Sequence, residues 1–189
     1  MLFLKMKTLK SKTNIEVFLK KMLMKKIPIT IFILFFVVML FAQSSKNTKE
    51  INEQVWLPFI KAFGNGDDEL FQSVHSKDVI RVMQDNKEII GHDKYFKKVP
   101  DSIKAKWKDW KKSIEMRFIQ RIASDDKAFE VGYYRSTSTN VKTGEQRKGI
   151  GKFHVLLRKE NGTWKILMDA DTSDGTSEEH FKNAGPLQE

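Results

Sequence analysis

After residue 110 the chain repeats one pattern four times: a stretch that alternates apolar and polar residues, closed by a turn signal. Ile114, Met116, Phe118 and Ile122 alternate with Glu115, Arg117 and Arg121, the period of a half-buried strand. Ser124-Asp125-Asp126 turns the chain into Ala128 to Ser136, and Lys142-Thr143-Gly144 turns it again into Gly149 to Lys159. Asn161-Gly162 is the strongest hairpin signal, because both central residues of a type I′ turn need positive φ. It delivers Trp164 to Asp171, with Trp164, Ile166 and Met168 expected on one face. Such an antiparallel meander must bury one face against something else in the chain.

The cover is predicted from residues 51–107. Ile51, Val55, Trp56, Phe59, Ile60 and Phe63 recur at three- and four-residue steps and form one helical stripe. Gly64-Asn65-Gly66 stops that helix, and Asp67 is placed to cap a second one carrying Leu70, Phe71 and Val74. Val79 to Met83 and Glu88 to Ile90 flank Gln84-Asp85-Asn86-Lys87 as a small hairpin. A third helical region starts near His92, with Tyr95, Phe96, Val99, Ile103 and Trp107 on one side. Pro100 lies inside it, so a kink or two short helices are expected. Three helical segments followed by a meander define an α+β domain with helices on one side of a curved sheet, and Gly132 fits a bend in that sheet.

The run Ile27 to Ala42 follows Lys25-Lys26 and precedes Gln43-Ser44-Ser45, the order of a secretory leader. Its 16 residues fall short of the ~20 that span a bilayer as a helix. Cleavage after Ser44 is therefore expected, giving an exported, periplasmic or secreted protein; the alternative is a retained N-terminal membrane anchor. Residues 1–44 form the Lys-rich region and leader, 45–175 the domain and 176–189 a polar tail, although Phe181 could fold back. Eight lysines and one glutamate lie in residues 1–44, so of 34 basic and 24 acidic residues 26 and 23 remain, a net of +3. The whole-chain charge of +10 is thus mostly targeting charge, and nucleic acid is not an expected partner. With no cysteine, an exported domain must be stable through its core alone.

Several local motifs then resemble the nuclear transport factor 2-like superfamily, in its SnoaL-like branch. They are Trp56-x-x-Phe59-x-x-Ala62-x-x-x-Gly66-Asp67, Asp78-Val79, Ala128 through Tyr134, Gly151-Lys-Phe153, and Glu160-Asn-Gly162-x-Trp164-Lys165-Ile166, in order over about residues 50–172. The resemblance implies a cone-shaped antiparallel sheet packed against about three N-terminal helices, a cystatin-like roll around a pocket. It also implies homodimers formed through the outer sheet face. The superfamily includes ketosteroid isomerases, dehydratases, polyketide cyclases and non-enzymatic pocket or scaffold domains.

Counted from Gly66-Asp67, the isomerases' tyrosine oxyanion donor falls at Phe59, their aspartate base at Met83, and their neutral-acid donor near Gly151 to Phe153. Phe59 has no hydroxyl, Met83 cannot take a proton, and Gly151 to Phe153 hold no carboxylic acid. Arg81 shares strand parity with Met83 and is expected in the pocket, where its donor fork would favour an anionic or carbonyl-bearing ligand. The alternative is an arginine at the sheet edge, reaching water or paired with Glu130 or Asp169. On the next strand Phe129, Val131 and Tyr133 are expected to face the pocket, and Glu130 and Tyr134 to face away. Tyr133 is then a wall, Arg135 shares its parity, and Glu130 serves a dimer face or pairs with Arg121. Asp169 and Asp171 are candidate bases at the pocket mouth. The pocket candidates are therefore Phe59, Arg81, Met83, Glu130, Tyr133, Arg135, Asp169 and Asp171.

Asp169-Ala-Asp171-Thr-Ser-Asp174-Gly175 fails the spacing of a calcium loop, since its fifth position is Ser173 and its glycine comes late. His75, His92, His154 and His180 lack metal-ligand spacing, and Gly149-Ile-Gly151 is no dinucleotide fingerprint. No metal or cofactor is expected. Residues 94–112 hold eight lysines around Trp107 and Trp110; a solvated face is the ordinary account of such a run. The expected function is a pocket domain for a small apolar or carboxylate-bearing molecule. The alternatives are a lyase, isomerase or hydrolase with an unfamiliar Arg/Tyr/carboxylate arrangement, and a protein-interaction scaffold.

Overall fold

The computed structural model describes residues 46–187; the expected leader and its cleavage point lie outside them. Helix α1 occupies residues 46–65. Its middle, Asn52–Trp56, is π-helical, and Leu57–Asn65 completes it. Pro58 explains the widened turn, because its ring has no N–H and would crowd the carbonyl four residues back in a regular α-helix. Gly66 ends α1 in the left-handed region at φ 66°. Asp67 then caps α2 (Asp68–Ser73) by accepting from the Leu70 N–H at 2.9 Å.

Strands β1 (His75–Met83) and β2 (Glu88–Gly91) form the expected hairpin. The third helical region divides at Pro100 into α3 (His92–Tyr95) and α4 (Asp101–Lys104), the latter followed by a 3-10 turn at Ala105–Trp107. Tyr95 and Phe96 pack on the core, whereas Val99, Ile103 and Trp107 remain exposed. The expected single apolar side thus ends at Pro100. Strands β3 (Trp110–Ala123), β4 (Lys127–Asn140), β5 (Gln146–Glu160) and β6 (Thr163–Thr172) form the meander. Asn161 and Gly162 both have positive φ, 50° and 82°, as the type I′ turn requires.

With a last short strand, β7 (Gly185–Pro186), the seven-stranded sheet runs β2-β1-β6-β5-β4-β3-β7. It is mixed rather than wholly antiparallel, because β1 returns beside β6 in parallel, with Arg81 opposite Asp169 and Met83 opposite Asp171. The sheet bends where expected: the β3–β4 register shifts between Phe118 and Gln120, beside the Phe118–Gly132 pair. A Cβ on Gly132 would lie 1.9 Å from the Arg117 carbonyl oxygen and 2.6 Å from the Phe153 ring. Only glycine allows that approach.

The inner sheet face and α1 share one core, with Trp56, Leu157, Trp164 and Ile166 almost fully buried. Each such side chain contributes about 1.5–3 kcal/mol of transfer free energy. The segment after residue 175 is not a free polar tail. Helix α5 (Glu178–Asn183) is capped by Ser177, and β7 (Gly185–Pro186) pairs with β3. Phe181 is fully buried, with the Arg117 and Arg135 guanidinium carbons 4.9 and 4.5 Å from its ring centroid.

Candidate functional site

A cavity of about 260 Å³ lies between the helices and the inner face of the sheet. Trp56, Phe59 and Phe63 enter it from α1, Phe71 from α2 and Tyr95 from α3. The sheet supplies Ile114, Met116, Phe153, Val155 and Ile166, and a polar end made by Arg81, Tyr134, Ser136, Asp169 and Asp171. Trp56 packs edge-on to Phe59 and Phe118, with centroids 5.8 and 5.5 Å apart, so these walls are fixed by aromatic contacts. A larger groove of about 670 Å³ runs between the α1–α2 turn and the 3-10 segment. Its apolar lining includes the exposed Ile103 and Trp107, beside the solvent-exposed Asp68–Lys104 ion pair; the largely buried charges belong to the smaller cavity.

The polar end is a closed network. Arg81 Nη2 donates to Asp171 Oδ1 at 2.7 Å, and Nη1 reaches Asp169 Oδ1 at 3.4 Å and the Asp169 carbonyl oxygen at 3.2 Å. The Tyr95 hydroxyl donates to Asp169 Oδ2 at 2.7 Å and the Tyr134 hydroxyl to Asp171 Oδ2 at 3.0 Å. Burial works against the Arg81 charge, but Asp169, Tyr95 and Asp171 together hold its guanidinium above its ordinary value. Burial, followed by the neighbouring aspartates, pushes both tyrosine hydroxyls upward, so both stay neutral donors.

His75 stands behind this network. Its Nδ1 lies 2.7 Å from the Phe71 carbonyl oxygen, which fixes Nδ1 as the protonated nitrogen. Its Nε2 is buried without a hydrogen-bond partner and lies 4.0 Å from Asp169 Oδ2. Burial depresses the His75 pKa, with Asp169 opposing, and the ring is neutral at pH 7.

Four of the eight expected residues line the cavity: Phe59, Arg81, Asp169 and Asp171. Met83 sits at the end of β1, in register with Asp171 but off the cavity wall. The parity expected on β4 is inverted. Tyr134 lines the cavity, whereas Tyr133 stacks on His180 at 5.6 Å on the outer face. Arg135, likewise outside, bonds Glu115 and Glu178, each at 2.6 Å. Glu130 is inside and 1% exposed, accepting from Trp56 Nε1 at 2.5 Å and from Arg121 Nε at 2.8 Å. The cause is chemical: the buried Trp56 N–H needs an acceptor, and Glu130 with Arg121 supplies one.

Tyr95, Tyr134 and His75 are not among the residues that strand parity and resemblance point to. The sequence holds one signal for Tyr134. Gly151 is its partner on β5, and a Cβ there would lie 2.4 Å from the Tyr134 ring, so the glycine makes room for the phenol. The turn after Asp171 is held by Asp85, which accepts from the Ser173 N–H at 2.8 Å. Among the described residues no group of three or more His, Asp or Glu is placed to hold a metal ion.

No protein-family model and no curated protein matches the chain by sequence. Solved structures do match. ActVI-ORFA from Streptomyces coelicolor superposes with a TM-score of 0.54 at 10% identity, over 68% of this chain and 97% of that one. A ketosteroid isomerase-like protein from Erwinia carotovora atroseptica matches with a TM-score of 0.50 at 16% identity, over 67% and 95%. A protein with a cystatin-like fold from Nostoc punctiforme gives 0.50 at 17% identity, over 68% and 92%. The architecture is thus an α+β roll: helices laid into a curved sheet around a hollow. The chain has the nuclear transport factor 2-like fold.

Proposed function

We propose that this chain is an exported pocket domain that binds a small, largely apolar molecule inside its cone, without ketosteroid-isomerase-type catalysis. One observation carries the reading: an aromatic-walled hollow of about 260 Å³ with convergent polar groups at one end, the ordinary anatomy of a ligand site. The positions at which the isomerases hold their proton-transfer groups carry Phe59, Met83 and Gly151 to Phe153, so the fold is kept and that chemistry is not. A thermal-shift screen of small aromatic and aliphatic compounds tests it. Stabilisation that disappears in a Phe59→Trp variant, which fills the hollow, is the expected result; no stabilisation by any compound contradicts it.

Export rests on the Lys25-Lys26 flank, the apolar run to Ala42 and the small residues after it. N-terminal sequencing of the protein from a bacterial periplasm, beginning at Ser45, is the expected outcome. A homodimer through the outer sheet face is supported by one apolar rung that crosses five strands. Ile122 pairs with Phe129, Phe129 with Leu156, Leu156 with Met168, and Met168 with Ile80. Ile122 and Ile80 stay about half exposed, at 55% and 47%, and a continuous apolar strip of this kind marks an association surface.

A second reading, acid–base catalysis, is favoured by the convergence of Arg81 and two carboxylates in one cavity. In that reading Asp171 is the base, and the Tyr134 hydroxyl, donating to its Oδ2 at 3.0 Å, orients it. Turnover of a bound carbonyl compound that is lost in Asp171→Asn, with binding retained, is the discriminating measurement.

A further inference from the structure

We infer that the occupant of this cavity is a small organic monocation, an aromatic or alkyl ammonium, whose N–H groups donate to Asp169 and Asp171. The inference rests on the pocket reading above and names its ligand class. The first ground is charge. Asp169 and Asp171 carry two negative charges and Arg81 one positive, and these are the only charged side chains on the cavity wall among the described residues. The adjoining tyrosines and the ring of His75 are neutral at pH 7, which leaves one uncompensated negative charge at the end of an apolar hollow. Each carboxylate already accepts from Arg81 and from one tyrosine, but the wall keeps a net negative charge in a largely buried place, and a bound cation balances it.

The second ground is hydrogen-bond inventory. Arg81 already spends its fork on both aspartates and on main-chain oxygen, and both tyrosine hydroxyls donate to the same carboxylates. The two tyrosine hydroxyls and Arg81 Nη1 point at protein, while each carboxylate oxygen has capacity for a further bond. The site therefore offers acceptors to a ligand. A carboxylate-bearing ligand, which Arg81 by itself would favour, is repelled by the two carboxylates that line the same end of the cavity.

The third ground is the wall. Trp56, Phe59, Phe71, Tyr95 and Phe153 surround the hollow, and aromatic faces attract an ammonium group more strongly when it is desolvated. At about 260 Å³ the cavity lies just below the roughly 300–1,000 Å³ of drug-sized sites. One ring with a short aminoalkyl arm is the fitting size.

The test is calorimetric titration at pH 7 of the mature chain with three isosteric probes: 2-phenylethylamine, 2-phenylethanol and phenylacetate. The expected order is the amine at least about tenfold tighter than the alcohol, and the carboxylate weakest, because the polar end differs chiefly in charge. Asp171→Asn should narrow the preference for the amine over the alcohol about tenfold. Circular dichroism checks that the substituted protein is folded. Alcohol and amine binding equally, or phenylacetate binding best, would overturn the inference and leave the pocket reading standing. No binding by any of the three would remove both.

Discussion

Arg81 Nη2 lies 2.7 Å from Asp171 Oδ1, and this ion pair fastens the one parallel joint in the described sheet, between β1 and β6. The pair is also the polar end of the cavity, so fold and site share one set of contacts. Arg81 is 13% exposed at its side chain, Asp169 13% and Asp171 23%, which places all three where loss of a partner is felt.

Arg81→Met keeps the stem and removes the charge, leaving two neighbouring carboxylates without their cation. Breaking a buried pair costs about 3–5 kcal/mol, and the residual exposure of this one lowers the expectation to roughly 2–4 kcal/mol. Urea denaturation at pH 7 measures it. A loss under about 1 kcal/mol would show that the triad does not hold the joint.

His75 gives the fold a dependence on acid. Its pKa is depressed by burial, so below its ordinary value near 6.5 the unfolded chain takes up a proton more readily than the folded one. The stability that comes from the neutral ring is complete above about pH 6.5 and is lost as the pH falls toward the folded pKa. The slope approaches roughly 1.4 kcal/mol per pH unit. His75→Gln keeps a donor for the Phe71 carbonyl and cannot titrate. Between pH 7 and 5 the wild-type protein should lose more stability than His75→Gln does. Glu130, whose pKa burial raises, is common to both proteins and cancels in the difference. Parallel losses in the two proteins would show that His75 does not set the acid response.

Two glycines separate fold from site. Gly132→Ala puts a Cβ against the Arg117 carbonyl and the Phe153 ring, and backbone has nowhere to go; a loss of about 3 kcal/mol or more is expected. Gly151→Ala meets only the Tyr134 ring, which can turn aside. It should cost about 1–2 kcal/mol and weaken ligand binding several-fold, by moving Tyr134 off Asp171. Paired denaturation and titration distinguish the two; equal stability losses would contradict the assignment of Tyr134 to the cavity.

Leu156→Glu places a charge at the centre of the outer apolar rung. Light scattering should give twice the chain mass for the wild-type protein and one chain mass after the substitution. A monomeric wild type would contradict the proposed dimer.

The helices and strands are legible in the sequence because their apolar spacing is strong: the α1 stripe, the Asp67 cap and the Asn161-Gly162 turn all appear where the residues place them. The β4 parity is not. Apolar residues occupy both faces of that strand, and Phe129-x-Val131-x-Tyr133 looks more like an inner face than Ala128-x-Glu130-x-Gly132. Glu130 is inside because of Trp56 and Arg121, partners 74 and 9 residues away, and no local period encodes them. The parallel return of β1 beside β6 is equally non-local. It is what brings Arg81 to Asp169 and Asp171 and gathers Tyr95 around them. Phe181 packs because α5 carries it onto Arg117 and Arg135, a contact that a polar-looking sequence conceals.

Whether the cone is hollow and takes a guest is decided by a crystal of the mature chain soaked with 2-phenylethanol, a neutral probe that asks nothing about charge. Density for the ring among Phe59, Met116 and Phe153, with the hydroxyl toward Asp171, is the expected result. Side chains meeting across that space, with the probe absent or bound only at the surface, would contradict it.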